Sequence, residues 1–185
     1  MKKHIVTACL YTAITAVLLG VIYPLLITGL AHLAFPAKAN GSLITRNGEV
    51  IGSQLVGQPF TGPTYFHSRP SAAGTGYDAA NSSGSNLAPT SKALVDRVAA
   101  SVSTETAASP VPVDLVTTSA SGLDPDITPA AALYQVPRLA SQRGLPEAIV
   151  RQLVMSHIDP RQLGLLGEPT VNVLDLNLAL DQLKP

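Results

Sequence analysis

The sequence predicts an α+β fold: a single N-terminal transmembrane helix followed by one small mixed domain. The run from Ile5 to Ala31 contains no charged residue. Beyond it, segments with strand and helix patterns do not alternate regularly, as they would in a parallel α/β fold. The only cysteine, Cys9, lies inside the apolar run, so no disulfide can stabilise the later domain. Residues 1–35 are therefore predicted to be a membrane anchor with a short cytoplasmic N-terminus, and residues 36–185 an extracytoplasmic α+β domain.

The apolar run is long enough to cross a bilayer, which needs about 20 apolar residues in a helix. A cleaved signal peptide is the alternative, because Ala37-Lys38-Ala39 fits a cleavage site. The apolar region of a signal peptide has only about 7–15 residues, however, so an uncleaved helix is favoured. Lys2 and Lys3 favour a cytoplasmic N-terminus. We therefore expect a single-pass protein of the inner (plasma) membrane with its C-terminal domain outside.

Small residues in the predicted helix indicate where a partner could contact it. Ala8, Thr12, Ala16 and Gly20 recur every four positions and form one ridge. A second transmembrane helix could approach closely there, although Ala and Thr are frequent enough in this segment for the spacing to arise by chance. Pro24 removes a backbone donor, so it predicts a kink in the helix or a loosening of its next turn.

The first part of the C-terminal domain is predicted to contain a hairpin and a long loop. Asn47-Gly48 favours a type I′ turn within residues 42–56. Residues 57–91 are rich in Gly, Pro, Ser and Asn and lack periodicity, which is typical of a functional or disordered loop. Four aromatic residues predict that this loop docks on the domain: Phe60, Tyr65, Phe66 and Tyr77.

The second part is predicted to be mostly helical, with one strand over residues 111–118. Ser91 is expected to begin a helix. The apolar face of that helix is predicted to comprise Leu94, Val95, Val98, Ala99 and Val102. A second helix begins with Thr128 as the cap and Pro129 as its first residue, and Gly144 ends it. The remaining expectations are a bend at Pro137, a helix from Pro146 through Met155, and a helix capped by Asn172 and Asp175 and ending at Leu183.

The sequence lacks the common catalytic motifs, which indicates that the chain is not an enzyme. It has no nucleophile elbow and no phosphate loop, and its four histidines lack metal-ligand spacing. Twelve basic residues balance twelve acidic ones, so no net charge attracts nucleic acid. Asp124 and Asp126 precede a predicted helix, where turn and cap chemistry is more common than a catalytic carboxylate pair.

Residues 119–140 combine Gly, Asp, Pro and hydroxyl residues ahead of a predicted helix start, so they could bind an anion or shape a turn. The turn is favoured, because Asp124 and Asp126 would repel phosphate. Arg69 and Arg138, each next to a proline, are the most plausible specific cations. Such an arginine usually contacts carbonyls or a carboxylate, and less often a ligand.

Five blocks of sequence, in order, resemble the C-subunit family of the Kdp high-affinity potassium-transporting ATPases. The blocks are VIYPLLITGLAHLAFPAKANGSLI, NGEVIGSQLVGQPF, YFHSRPSAAGTGYDAANSSGSNLAPTS, VPVDLVTTSASGLDPDITPAAALYQVPRLASQRGL and LGLLGEPTVNVLDLNLALD. One departure is His67, where the family often has tryptophan, and this puts in doubt any aromatic role at that position.

The resemblance implies a non-catalytic accessory subunit. Its partners would be a channel-like potassium-binding subunit, a P-type ATPase subunit and a small fourth subunit, in the membrane and without nucleic acid. This chain lacks the Asp-Lys-Thr-Gly phosphorylation sequence of the ATPase subunit. The family is described as a catalytic chaperone that raises the ATP affinity of the ATPase subunit, and Gln135 carries over as the ATP-related residue. No tightly bound cofactor is expected; ATP would act through the complex.

The nucleotide role conflicts with the predicted topology, which places Gln135 outside the membrane, away from ATP. We therefore expect a shaped docking loop and a surface amide at Gln135 that contributes little to folding. The partner-binding candidates are Ala8, Thr12, Ala16, Gly20, Arg69 and Arg138. Two alternative hypotheses are a membrane-anchored binding module for an envelope ligand, which would use the same long loop, and, least favoured, a hydrolase without a known motif.

Overall fold

The computed structural model describes residues 1–105 and 110–183, which form two compact units. The first unit, Met1–Leu43, consists of an N-terminal helix and a short helical segment. Its helical elements are α1 (Lys2–Val17), a π-helical turn (Leu18–Ile22), α2 (Tyr23–Ala34) and α3 (Pro36–Ala39). The first three run together as one helix, with a mean hydropathy of 2.3 in its most apolar window and no buried side chain there. Length and composition allow this helix to cross a membrane.

The helix is loosened near Pro24, but in the turn before the proline and not, as the sequence predicts, in the next turn. The π-helical turn Leu18–Ile22 lies directly before Pro24, which is the second residue of α2. A proline ring clashes with the carbonyl four residues earlier, here that of Gly20, and cannot donate to it. Widening the turn to a π-helix is one way for the helix to continue past that position.

The C-terminal unit, Ile44–Pro185, contains short strands and four helices of eight residues or more among its described residues. The strands are β1 (Leu43–Arg46), β2 (Glu49–Ser53), β3 (Asp126–Ile127) and β4 (Val171–Asn172). The helices are α4 (Lys92–Thr104), α5 (Pro129–Arg143), α6 (Glu147–Ser156) and α7 (Val173–Leu180). Strands β1 and β2 form one pair and β3 and β4 an antiparallel second pair. The α+β class is therefore confirmed for this unit.

The predicted hairpin turn and the two predicted ends of α5 are confirmed, and each depends on residues close by in the sequence. Asn47 and Gly48 have φ angles of 54° and 85°, as a type I′ turn requires. The Thr128 hydroxyl accepts a hydrogen bond from the Ala131 N–H at 3.2 Å and so caps α5. Gly144 ends α5 in the left-handed conformation, with φ of 65°.

At the other end of the domain, the Asn172 side chain accepts from the Asp175 N–H at 3.2 Å and caps α7. This helix ends at Leu180, however, and not at the predicted Leu183. Pro137 lies inside α5 and does not interrupt it.

The predicted strand over residues 111–118 is wrong. Val113–Leu115 form a 3₁₀ turn instead. The turn directs Asp114 inward, where its carboxylate accepts a hydrogen bond from the Thr128 N–H at 2.8 Å. Pro110 and Pro112 also lack the N–H groups that a strand would need for pairing.

The apolar face predicted for α4 does not pack into the core. The helix begins after Ser91 as expected, but none of its residues is buried, and Val95 is 59% exposed. The core lies instead around α5, α6 and α7. Its fully buried large side chains include Phe66, Leu139, Val150, Val154, Leu176 and Leu180.

Candidate functional site

The long loop over residues 57–91 is docked by two side-chain amides from different helices. Asn177 of α7 is buried, and its Oδ1 accepts from the Phe66 N–H at 2.8 Å while its Nδ2 donates to the Phe66 carbonyl at 3.0 Å. Gln135 of α5 does the same for the next residue: its Oε1 accepts from the His67 N–H at 2.8 Å and its Nε2 donates to the His67 carbonyl at 3.1 Å. We call Gln135 and Asn177 the amide clamp.

Gln135 is therefore a buried residue, and the expectation of a surface amide is wrong. It is only 2% exposed. Beyond the clamp, its Nε2 donates to the Ala131 carbonyl at 3.3 Å, and its Oε1 accepts from the Arg138 guanidinium at 2.8 Å. Both donor hydrogens and both acceptor positions of the amide are thus used inside the domain.

Arginine side chains from α5 fasten the segment just before the clamp. Arg138 donates to the carbonyls of Pro63 and, at 3.0 Å, Tyr65. Arg143 donates to the Thr64 carbonyl at 2.7 Å and lies 4.9 Å from the centre of the Tyr65 ring. Backbone carbonyls of the loop thereby accept hydrogen bonds from arginine side chains, so Arg138 has a structural role whatever else it contacts.

Arg69 is engaged by acidic residues. Its guanidinium lies 3.3 Å from the Asp114 carboxylate and 3.7 Å from that of Asp124, and it donates to the Thr117 hydroxyl at 3.3 Å. The Tyr77 hydroxyl donates to the Arg69 carbonyl at 2.6 Å. Arg69 can be singled out from the sequence, but Asp114 cannot, because a strand over residues 111–118 gives no reason to place its carboxylate inside the domain.

Glycines allow residues 119–124 to lie directly against the long loop. A Cβ added to Gly57 would lie 2.6 Å from the Asp124 carbonyl oxygen, and one added to Gly84 would lie 2.9 Å from that of Ala120. Gly122 has φ of 67°, and its Cβ would lie 2.5 Å from the Ser83 carbonyl oxygen. These glycines therefore serve close backbone packing, which matches the prediction of a structural turn.

The two aspartates of this stretch have separate structural partners. The Asp124 carboxylate accepts from the Asp126 N–H at 3.1 Å, as in an Asx turn, and also faces Arg69. Asp126 accepts from the Asn172 amide at 3.1 Å. Burial raises the pKa of Asp126 above its usual value, and the neighbouring carboxylates of Asp124, Asp159 and Asp175 raise it further, although the bond from Asn172 opposes them.

The His67 ring is packed inside the long loop. Its Nε2 lies 3.0 Å from the Gly62 carbonyl oxygen, to which it donates. Burial lowers the pKa of His67 below its usual value, the hydrogen bond to Gly62 opposes this, and the nearby Arg138 cation lowers the pKa further. The ring is therefore a part of the packed loop.

A cavity of about 310 Å³ lies on the α5 surface beside the clamp. Its lining includes Glu105, Tyr134, Gln135, Pro137, Arg138 and Gln142. The single cation of the lining, Arg138, already donates to the loop. Among residues 1–105 and 110–183, no group of three or more His, Cys, Asp or Glu side chains is placed to hold a metal ion.

The four residues of the predicted membrane ridge (Ala8, Thr12, Ala16 and Gly20) are all exposed. A Cβ added to Gly20 would meet no atom within 4 Å. The helix surface at Gly20 is therefore open, and the use of the ridge by a partner helix stays a prediction.

The whole chain matches one protein family. A family model described as "K+-transporting ATPase, c chain" matches residues 5–182. The potassium-transporting ATPase KdpC subunit of Koribacter versatilis is 60% identical over 188 residues, covering 100% of this chain and 97% of the relative. That of Acidobacterium capsulatum is 64% identical over 182 residues, covering 98% and 99%. The resemblance is confirmed, and the chain belongs to the KdpC family of potassium-transporting ATPase subunits.

Proposed function

We propose that this chain is a non-catalytic accessory subunit of an ATP-driven potassium-import complex. Its domain would assist the assembly and function of a P-type ATPase subunit and a channel-like subunit, together with a small fourth subunit. A non-catalytic role is supported by the contacts of the polar side chains that the sequence singled out as site candidates. Gln135, Arg69 and Arg138 all hold the long loop on the C-terminal unit, which gives a shaped surface for docking.

In this proposal the helix over Lys2–Ala34 anchors the chain in the inner membrane. Lys2 and Lys3 favour a cytoplasmic N-terminus, so the domain from about residue 36 onward lies outside the cytoplasm. The small-residue ridge of that helix would contact a membrane helix of another subunit.

We further propose that any effect on ATP affinity passes through contacts between subunits. The amide of Gln135 is buried and has no free donor or acceptor for a nucleotide. The competing hypothesis, in which Gln135 contacts ATP directly, requires the amide to leave at least one of these bonds. It also requires a domain on the cytoplasmic side.

Affinity purification of the tagged chain from native membranes tests the proposed function. The other subunits of the potassium-transporting ATPase should co-purify, and their potassium-stimulated ATP hydrolysis should fall when this chain is removed. If only cell-wall material is recovered, the alternative of a binding module for an envelope ligand replaces this proposal.

Protease added to intact spheroplasts tests the topology. The C-terminal unit should be digested, and a cytoplasmic reporter fused after residue 185 should be inactive. Protection of the unit in sealed cells would contradict the proposed orientation and would support direct contact with ATP.

A further inference from the structure

An ordered hairpin that projects leucines into solvent lies between α6 and β4. We call residues 159–170 the leucine finger. The finger is closed at its base by two hydrogen bonds, from the Asp159 N–H to the Thr170 carbonyl at 2.8 Å and from the Thr170 N–H to the Asp159 carbonyl at 3.1 Å. Nearer the tip, Gln162 and Leu166 exchange two further backbone bonds, each of 2.9 Å. An ion pair of 2.9 Å joins the two sides, between Arg161 and Glu168.

The tip of the finger consists almost entirely of leucine. Leu163 is 90% exposed, Leu165 is 81% exposed and Leu166 is 60% exposed. Three leucines within four positions form a concentrated apolar patch, and such patches on soluble surfaces mark interaction sites. Leu163 also has a positive φ of 53°, a conformation that a leucine adopts only when its surroundings hold it there. The two backbone bonds between Gln162 and Leu166 support the tip in this conformation.

The base of the finger is acidic. A cavity of about 630 Å³ beside it is lined by Asp126, Asp159 and Glu168, and no lysine, arginine or histidine lines it. Because Glu168 is paired with Arg161, the acidic character comes from Asp126 and Asp159. An anionic phospholipid surface would be repelled by these carboxylates, since membrane-binding loops combine apolar tips with basic flanks. A protein surface that carries lysine or arginine beside an apolar socket would complement both features.

We propose that the leucine finger inserts into an apolar socket of another subunit of the potassium-transporting complex, and that basic side chains at the socket rim meet the acidic cavity. This inference rests on the proposed function, because it takes the partner from the same complex. The rigid hairpin lowers the entropy lost on docking, and the leucines leave water when they enter the socket.

Photo-crosslinking identifies what covers the tip. A p-benzoylphenylalanine introduced in place of Leu165 in the full chain should crosslink, in native membranes, to a different polypeptide of the complex. A crosslink to lipid, a crosslink to a second copy of this chain, or no crosslink would each overturn the inference.

Substitution measures the contribution of the leucines. The double variant Leu163→Ser/Leu165→Ser should lower the apparent affinity of the chain for the complex at least about tenfold, since each buried leucine contributes that much or more. The control Val95→Ser/Met155→Ser changes two other exposed apolar residues (59% and 56%) and should leave co-purification unchanged. Full recovery of the leucine variant in the complex would contradict the inference.

The acidic cavity has its own test. Asp159→Asn removes one exposed carboxylate at the base, so it should weaken association and reduce its dependence on salt concentration. Unchanged association and salt dependence would exclude the basic rim. If the wild-type chain itself fails to co-purify with the transport subunits, the proposed function fails; if it co-purifies and the finger variants do too, only this inference fails.

Discussion

The side-chain amide of Asn177 accepts a hydrogen bond from the Phe66 N–H at 2.8 Å and donates one to the Phe66 carbonyl at 3.0 Å. This is the pairing that a neighbouring strand would provide, but a helix side chain provides it here. Gln135 repeats the arrangement at His67. The backbone N–H and C=O groups of this part of the long loop are therefore hydrogen-bonded as they would be in a strand, although it belongs to no sheet.

Replacing Asn177 by leucine keeps the side-chain volume but leaves two buried backbone groups of Phe66 without partners. We expect the free energy of unfolding of the full chain in detergent to fall by about 2–6 kcal/mol, because each of the two unsatisfied groups costs about 1–3 kcal/mol. Urea unfolding measures the change. The exposed amide of Gln182 gives the control, since Gln182→Leu should cause little loss. Equal effects of both variants would contradict the clamp.

Gln135→Ala should destabilise the chain by about 1–3 kcal/mol, since the partly buried His67 N–H loses its acceptor. Gln142 lies exposed on the same helix, so Gln142→Ala is the matched control and should have little effect. The same melting experiment with ATP separates the two hypotheses for Gln135. A nucleotide at 100 times its dissociation constant would stabilise the wild type by about 2.7 kcal/mol. We expect no such shift, and one that is lost in Gln135→Ala would support direct contact with ATP.

Alanine substitutions at Gly122 and Gly144 distinguish the stability cost of a steric clash from the cost of a left-handed backbone conformation. Their φ values are nearly equal, 67° and 65°, but only Gly122 has backbone atoms within 3 Å of an added Cβ. Gly144→Ala should therefore cost about 1–2 kcal/mol for the left-handed conformation alone. Gly122→Ala should cost clearly more, because Ser83 and Ala73 would have to move. Similar thermal stability of the two variants would refute the close packing of residues 119–124 on the loop.

Asp126 gives a pH-dependent prediction. Because burial raises the pKa of Asp126, the folded chain binds its proton more tightly than the unfolded chain does. The contribution of Asp126 to stability therefore falls as pH rises from 3.8 through the folded-state pKa, and at neutral pH the ionised group is destabilising. Asp126→Asn keeps an acceptor for Asn172 and should raise the melting temperature at pH 7.

The melting temperature of Asp126→Asn at low pH checks this prediction. Below about pH 3.8 the carboxyl is protonated in both states, so the advantage of Asp126→Asn should disappear. The control Asp96→Asn changes an exposed carboxylate on α4 and should alter stability by less than about 1 kcal/mol. A destabilised Asp126→Asn at pH 7 would show that the charge is favourable.

The membrane ridge predicts a contrast between two glycines. Gly20→Leu adds bulk on the ridge, so it should weaken co-purification of the chain with its complex. Gly29→Leu adds the same bulk outside the ridge, at a position that is also open, and should be silent because hydrocarbon accepts leucine. Equal recovery of both variants would show that the spacing of the ridge is chance.

The features predicted well from the sequence depend on neighbouring residues. Asn47-Gly48, Thr128 and Gly144 each act through a turn or cap within a few positions, and all three are found as expected. The docking of the long loop was also predictable, because Phe66 and its aromatic neighbours would be unfavourable in a free linker.

The features predicted wrongly depend on distant residues. Gln135 is an ordinary amide in an alanine-rich helix until the loop, 68 positions earlier, lies against it. Likewise, residues 111–118 alternate like a strand, but Arg69 and Thr128 hold Asp114 in a turn. The valines of α4 lie outside the core, because an apolar stripe on a helix does not by itself specify whether the core or solvent faces it.

The amide clamp also sets an order of events during synthesis. Asn177 follows Phe66 by 111 positions and Gln135 follows His67 by 68. At about 5–20 residues per second, a ribosome takes roughly 6–22 s to reach Asn177 after it has made Phe66. Until then the backbone of Phe66 has no partner and is open to proteases and to pairing with other chains. A chain truncated before α7 should therefore be degraded rapidly, even though the loop itself is complete.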